Sequence, residues 1–337
     1  MLRTVIVGSG AVGTLLASRL QASGRHHVTT VCRSSFGKVR QNGFLIRSTL
    51  FGDGTFRPDY VARDITDAAQ QEEAYDYVFL CTKAFPSEVN SADLLGPLVS
   101  DRTRIVTVQN GIGAETKLIR AFPGNPVFPA VIYCMSEQTS PGEIVQTGFV
   151  KFILGARPPV AQDPVASVEE DQGRFEREQR VAEALTADLQ GGDIPTVLTD
   201  NIQGHRWLKL VWNASFNPVS VVGGGRNTGE MLADPFSKQL ILDLQQEIWA
   251  IGEKTTGQSL PSIPEFESPE AIVENTAKRV PYKPSMLQDH LNGRPMEHEV
   301  ILKNPLEVAR RYQVPTPHLE SVYALMRLIT LGDKARA

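Results

Sequence analysis

The sequence predicts an α/β domain over residues 1–199 followed by an all-α domain over residues 200–337. Three observations carry that reading. Short β-branched runs alternate with helical patterns through the first 110 residues, helical periodicity dominates beyond Asp200, and a glycine-rich turn joins the first strand to the first helix. Short, near-continuous apolar strands separated by helices indicate a parallel sheet covered on both faces.

Element by element, Thr4–Val7 is the first strand and Ala11–Gln21 the first helix. Val28–Cys32, Tyr77–Cys81 and Ile105–Val108 are further strands, each ending at a polar turn. Val127–Met135, Phe149–Leu154 and Pro195–Leu198 read as later strands of the same domain. Between them, Pro158, Pro159 and Asp163-Pro164 open a charged stretch that reads as a surface insertion running into a helix near Arg177–Leu189. The second domain reads as helices over Asn201–Phe216, Pro235–Thr256, Pro269–Lys278, Met296–Tyr312 and His318–Leu331. Pro305 is expected to kink or split the fourth. The apolar C-terminal helices are open to two uses, a homodimer interface or an internal core.

Bulk properties exclude several classes. Length fits two domains, and 41% hydrophobic with 21% charged residues is ordinary for a soluble globular chain. A net charge of -4 gives no reason to expect nucleic acid or an anionic membrane surface as partner. Cys32, Cys81 and Cys134 are odd in number and widely spaced, which argues against a disulfide framework and against a metal site. The opening apolar run is too short to span or target a membrane, so the cytosol is the expected compartment. His26 and His27 read as solvated loop residues.

Residues Val5 to Gly13 form a G-x-G-x-x-G turn directly after a strand and opening a helix. Gly8 permits the tight turn, Gly10 lets the backbone approach a pyrophosphate, and Gly13 lets the helix pack on the strand. The unpaired N–H groups at the helix start then face the phosphates with a partial positive charge. Gly8, Ser9, Gly10, Ala11, Val12 and Gly13 are therefore the candidate cofactor-binding residues of a Rossmann-type dinucleotide-binding domain. After the second strand, Val31-Cys32-Arg33-Ser34-Ser35 carries no acid to hold ribose hydroxyls. A cation with two hydroxyls suits a 2′-phosphate, so Arg33 favours NADPH/NADP+ over NAD.

The segment Trp207 to Asn217 is apolar on nearly every side but for Lys209, Asn213 and Asn217. At i, i+4 and i+8 these share one helix face over about 12 Å. Buried unpaired, an ammonium and two amides are costly, and a core would seldom select them; a polar site would. A desolvated lysine is a serviceable general acid once a carboxylate holds it in place. Pro218 biases Asn217 away from helical geometry, so a break is expected there. Further on, Ser285 with Gln288 fits a capping box, and Glu297 fits a first-turn acid of the next helix. On the residues alone those structural roles suffice for both.

The same residues resemble the ketopantoate reductase (2-dehydropantoate 2-reductase) family. The resemblance runs over most of the chain: the glycine turn, Cys81-Thr82-Lys83-Ala84, Gln109-Asn110-Gly111-Ile112-Gly113, Lys209-Leu210-x-x-Asn213-x-x-x-Asn217-Pro218, Ser285 to Asp289, and Gly293-Arg294-Pro295-x-Glu297. It implies reduction of the 2-oxo acid 2-dehydropantoate by NADPH, on the route to pantothenate and coenzyme A. It implies Lys209 as the catalytic lysine and Glu297 as its acidic partner. Asn213, Asn217 and Asn227 resemble substrate-binding asparagines, and Ser285 the serine that holds the substrate carboxylate. Lys83 and Asn110 resemble cofactor-facing residues, and Arg33 the 2′-phosphate arginine. Departures lie at Tyr282, where the family often has asparagine, at Pro284, and over His298–Lys303. Two rivals are the same chemistry on another 2-oxo acid, ketone or imine, and a non-catalytic NADP-binding sensor. A sensor has no need of a lysine, asparagines and a carboxylate together.

Overall fold

A computed structural model describes residues 1–85, 89–157 and 173–336. The described residues fall into two compact units. The first takes Met1–Gln109 and continues from Ala114 to Ile202; the second takes Asn110–Gly113 with the chain from Gln203 onward.

In the first unit the strands are β1 (Leu2–Val7), β2 (His26–Val31), β3 (Phe44–Ser48), β4 (Gly54–Phe56), β5 (Tyr60–Ala62), β6 (Tyr77–Leu80), β7 (Arg104–Thr107), β8 (Val127–Ser140), β9 (Glu143–Leu154) and β10 (Thr196–Leu198). Its helices are α1 (Ala11–Ala22), α2 (Phe36–Asn42), α3 (Ile65–Gln71), α4 (Ser91–Leu95), α5 (Thr116–Ala121) and α6 (Arg174–Gly191). One sheet runs β4-β3-β9-β8-β7-β6-β1-β2-β5, with β10 beside β9. From β5 to β8 every pairing is parallel. Both faces are buried there: Ile6, Phe79 and Val106 pack with α1 and α6, while Val5, Val7, Val78 and Leu80 pack with Leu95, Leu118 and Ile119 on the other side. That alternation is the period-two geometry of a covered sheet.

The sheet is mixed, where the apolar runs predict a parallel one. Its far half turns on Pro141-Gly142, with Gly142 at φ +79°, so β9 folds back antiparallel on β8. Proline followed by a positive-φ glycine is a tight-turn signal, and it reverses the chain without a crossover. Strands β3, β4 and β5 have no counterpart in the sequence reading; β4 and β5 hold three residues each, too short for a periodic signal. The expected surface insertion, with Pro158, Pro159 and Asp163-Pro164, falls in 158–172, outside the described residues, and α6 begins at Arg174.

His26 also differs from its reading as a solvated loop residue. It lies in β2 and is 1% exposed. Its Nδ1 meets the Thr4 hydroxyl at 2.8 Å and its Nε2 meets Asp188 at 3.2 Å, while Arg25 pairs with Asp188 at 2.8 Å. Burial pushes the His26 pKa down, against the pull of Asp188. A neutral ring accepting from Thr4 and donating to Asp188 suits these contacts. Two adjacent histidines before a strand give no hint of a partner 162 residues away.

The second unit is helical: α7 (Ile202–Val222), α8 (Thr228–Ala233), α9 (Pro235–Thr256), α10 (Pro269–Ala277), α11 (Ser285–Leu291), α12 (Asn304–Tyr312) and α13 (Pro317–Arg336). Punctuation sets α9: Asp234 caps it, Pro235 opens it, and Gly257 at φ +68° closes it. Gly252 gives α9 its close approach to α7, since a Cβ there meets Trp207 Cβ at 2.9 Å. Helix α7 runs straight past Pro218, so the expected break at Asn217 is absent. A proline forfeits one helical bond, and the packing of a helix buried throughout 213–221 outweighs that loss. Pro305 acts as expected but by a distinct route: a π-helical turn, Glu299–Lys303, precedes α12. Among the described residues no helix is long and apolar enough to cross a membrane. Among them, too, no group of three or more His, Cys, Asp or Glu residues is placed to hold a metal ion.

Candidate active site

Strand β1 lies between β2 and β6, so the chain leaves it toward opposite sides of the sheet. Such a switch point leaves a crevice at the carboxyl ends of the strands. The glycine turn sits there. Gly8 is at φ +105°, and a Cβ on it would lie 2.5 Å from Thr82 N. At Gly13 a Cβ would lie 2.1 Å from the Gly8 carbonyl oxygen, so only glycine lets α1 rest on the turn. Gly10 is different: a Cβ there meets nothing within 4 Å. It is the N-cap of α1, with no side-chain cap and no acid in the first turn. Uncapped N–H groups beside open space suit a pyrophosphate, and the turn fits a dinucleotide on that ground. Ala11 and Val12, half-buried, supply that first turn. The buried Ser9 donates its hydroxyl to the Val31 carbonyl at 2.8 Å, tying the turn to the end of β2.

Arg33 is exposed just beyond β2, and Lys83 is exposed just beyond β6. Gln109 donates to the Thr82 carbonyl at 2.9 Å, joining the loops that follow β6 and β7.

In the second unit α7 carries Lys209, Asn213 and Asn217 in one unbroken helix. Lys209 is half-buried, Asn213 is 8% exposed and Asn217 is fully buried. The Lys209 ammonium donates to Asn110 Oδ1 at 2.9 Å. Asn110 Nδ2 in turn donates to Glu297 Oε2 at 3.3 Å. An amide with its oxygen toward an ammonium and its nitrogen toward a carboxylate has only one orientation that satisfies both. The result is a chain of ammonium, amide and carboxylate, with Glu297 itself 7% exposed. Glu297 precedes the helical segment rather than lying in its first turn, and its carbonyl accepts from Ile301 N.

Asn217 Oδ1 accepts from Met286 N at 3.3 Å and from the Ser285 hydroxyl at 3.5 Å. Its Nδ2 is buried with no hydrogen-bond partner among the described residues. A buried donor left unpaired costs about 1–3 kcal/mol, which a ligand oxygen would recover. Ser285 does not cap α11: the N-cap is Pro284, whose carbonyl accepts from Gln288 N. Ser285 remains exposed, bonded to Asn217. Asn227 makes a full capping box with Glu230 at the start of α8, accepting from Glu230 N at 2.9 Å.

The structure thus brings Lys209, Asn110 and Glu297 together, and separately Asn217 and Ser285. Sequence reasoning missed Arg206 and Asn304, which bond the carbonyls of Gly111 and Ile112 at 3.2 and 2.7 Å. The signal at Arg206 was its place three residues before Lys209 on α7; at Asn304 it was the Pro305 that follows.

A glycine turn that fits a dinucleotide, and an ammonium linked through an amide to a carboxylate, are the kinds of part that reduction of a C=O group calls for. Residues 4–159 match the family described as Ketopantoate reductase PanE/ApbA, and residues 201–330 match Ketopantoate reductase PanE/ApbA C terminal. A solved 2-dehydropantoate 2-reductase from Methylococcus capsulatus is 36% identical, with a TM-score of 0.81 over 98% of both chains. The 2-dehydropantoate 2-reductase of Nostoc sp. is 28% identical over 96% of this chain and 94% of its own. The Meiotically up-regulated gene 72 protein of Schizosaccharomyces pombe is 29% identical over 96% of this chain, which spans 56% of that protein's length. The chain belongs to the ketopantoate reductase family. As a member it is an oxidoreductase that uses a nicotinamide dinucleotide.

Proposed function

We propose that the protein reduces 2-dehydropantoate to pantoate with NADPH, Lys209 acting as general acid. The observation that carries this reading is the Lys209–Asn110–Glu297 chain. The glycine turn would hold the reduced nicotinamide cofactor, which would supply the hydride for the carbonyl carbon. Negative charge then grows on the carbonyl oxygen, and the Lys209 ammonium stabilises it and gives up a proton. Asn110 Oδ1 holds one ammonium N–H, which fixes the direction of the others. The Glu297 carboxylate polarises the amide through Nδ2, strengthening its hold on the cation. Solvent returns the proton to Lys209 after product leaves. Asn217 Nδ2 and the Ser285 hydroxyl are offered to the substrate carboxylate, and Asn213 lines the same helix face. The exposed Arg33 pairs with the 2′-phosphate, and Lys83 carries a second cation toward the cofactor.

One observation favours a second substrate. Tyr282 stacks on Trp212 at 5.8 Å, and Trp212 stacks on Phe216 at 4.9 Å. Burial pushes the Tyr282 hydroxyl up to about 12, so it stays neutral. An aromatic stack where an amide is common suits a 2-oxo acid with an apolar side chain. NADPH consumption, followed by absorbance over a panel of 2-oxo acids, decides between the two. The main reading expects saturable turnover of 2-dehydropantoate and a preference for NADPH that Arg33→Ala abolishes. Trace rates with 2-dehydropantoate beside saturable rates with an aryl or alkyl 2-oxo acid would transfer the assignment. Equal loss of NADPH and NADH binding in Arg33→Ala would remove the 2′-phosphate role.

A further inference from the structure

We propose that Asn304 is a positioning residue for the reduction, that Arg206 supports it, and that the π-helical turn before α12 makes their hold possible. This rests on the reading of Lys209 and Asn110 given above.

The argument begins at a backbone register. Within Glu299–Lys303 the helix is π, and the Asn304 N–H bonds the Glu299 carbonyl, five residues back. In that register the Val300 carbonyl would look to residue 305. Residue 305 is proline and has no N–H to give. Val300 is fully buried, so its orphaned carbonyl needs another donor. Ile112 N–H supplies it at 3.0 Å.

The loop Asn110–Gly113 is thereby docked on the turn. Gly111, at φ +83°, comes so near that a Cβ would lie 2.3 Å from the Val300 oxygen. Two side chains close the hold from either side. Asn304 Nδ2 donates to the Ile112 carbonyl at 2.7 Å. Arg206 Nη2 donates to the Gly111 carbonyl at 3.2 Å, and its Nη1 is fixed on Gln203. One short segment therefore carries Glu297, which accepts from the Asn110 side chain, together with Val300, which accepts from Ile112 N–H, and Asn304, which donates to the Ile112 carbonyl. Neither Asn304 nor Arg206 touches a reacting atom. They fix where Asn110 stands, and Asn110 fixes the ammonium. Displacing a catalytic group by an ångström costs up to about a hundredfold in rate.

Steady-state kinetics on the whole chain tests this. Asn304→Ala removes the donor, and Asn304→Asp sets a carboxylate against the Ile112 carbonyl. Both are expected to lower kcat, by about 10- to 100-fold, with Asp the worse and KM for NADPH within about twofold of the parent. Asn304→Ala added to Asn110→Ala is expected to lower kcat no further, because it acts through that amide. Pro305→Ala keeps every polar side chain of the site and restores an N–H that can capture the Val300 carbonyl. It is expected to lower kcat while Tm shifts by no more than roughly 4 °C. Parent-like kcat in Asn304→Ala and Pro305→Ala, beside a large loss in Asn110→Ala, would overturn the inference and leave the Lys209 reading standing. So would an Asn304 loss that multiplies undiminished onto Asn110→Ala. Parent-like kcat in both Lys209→Ala and Asn110→Ala would instead overturn the reading beneath it.

Discussion

The candidate sites of the two units are built by opposite means. The glycine turn offers backbone, from residues contiguous in sequence, and its packing asks that Cβ be missing at Gly8 and Gly13. The candidate site of the second unit offers side chains, gathered from Asn110, Lys209, Asn217, Ser285 and Glu297. A site made of backbone is written once, in a short motif; a site made of side chains is written in pieces that only packing can bring together.

That contrast predicts where substitutions bite. The largest effect is expected at Lys209. Lys209→Ala should cost about 10²- to 10⁴-fold in kcat, the range for a lost general acid, while NADPH binding measured by fluorescence titration stays near the parent's. Retained turnover would mean that the side-chain site is not where the chemistry lies.

Within the glycine turn the demands should separate. Gly13→Ala forces a Cβ onto the Gly8 carbonyl, and overpacking of that kind costs about 1–3 kcal/mol. Thermal melting should therefore report it as unstable. Gly10→Ala meets no protein atom, so it should cost no more than about 1 kcal/mol as a poorer N-cap. Its signature is weaker NADPH binding, because the added methyl holds the pyrophosphate off the turn; each 1.4 kcal/mol of weakened phosphate binding raises Kd roughly tenfold. If both variants melt alike and bind alike, the open space at Gly10 is not a ligand's space.

The smallest effect concerns the buried His26, a titratable group in the first unit that serves structure alone. Its folded pKa is depressed below 6.5 by burial. Below the unfolded pKa the unfolded chain binds the proton more readily than the folded one, so stability falls as pH drops from about 7.5 toward 5.5. His26→Gln should flatten that fall in urea titrations, relative to the parent at each pH. An unchanged pH slope would show that Asp188 cancels the effect of burial, so that the ring binds its proton equally in the folded and unfolded chain.

Much of the first unit was legible. The strand–glycine turn–helix motif, the core strands and the missing acid after β2 were all local patterns. The hairpin of β8 and β9 was not foreseen, although Pro141-Gly142 signalled it, because two apolar strands look alike whichever way they pair. The polar stripe on α7 was legible as a stripe, since helical spacing alone puts Lys209, Asn213 and Asn217 on one face. Its continuation through Pro218 was not, because burial of both sides of α7 overrides the local penalty.

By itself the sequence determined the two-part architecture, the dinucleotide turn and the apolar helix with polar interruptions, since each follows from residues within a few turns of one another. Only the tertiary structure decided that Asn110 is the link between Lys209 and Glu297, and that Pro305 leaves a carbonyl free to anchor its loop. Those contacts join residues 99, 187 and 188 positions apart. No periodicity reaches that far, and the hydrogen bonds form only after packing has placed their donors and acceptors within 3.3 Å.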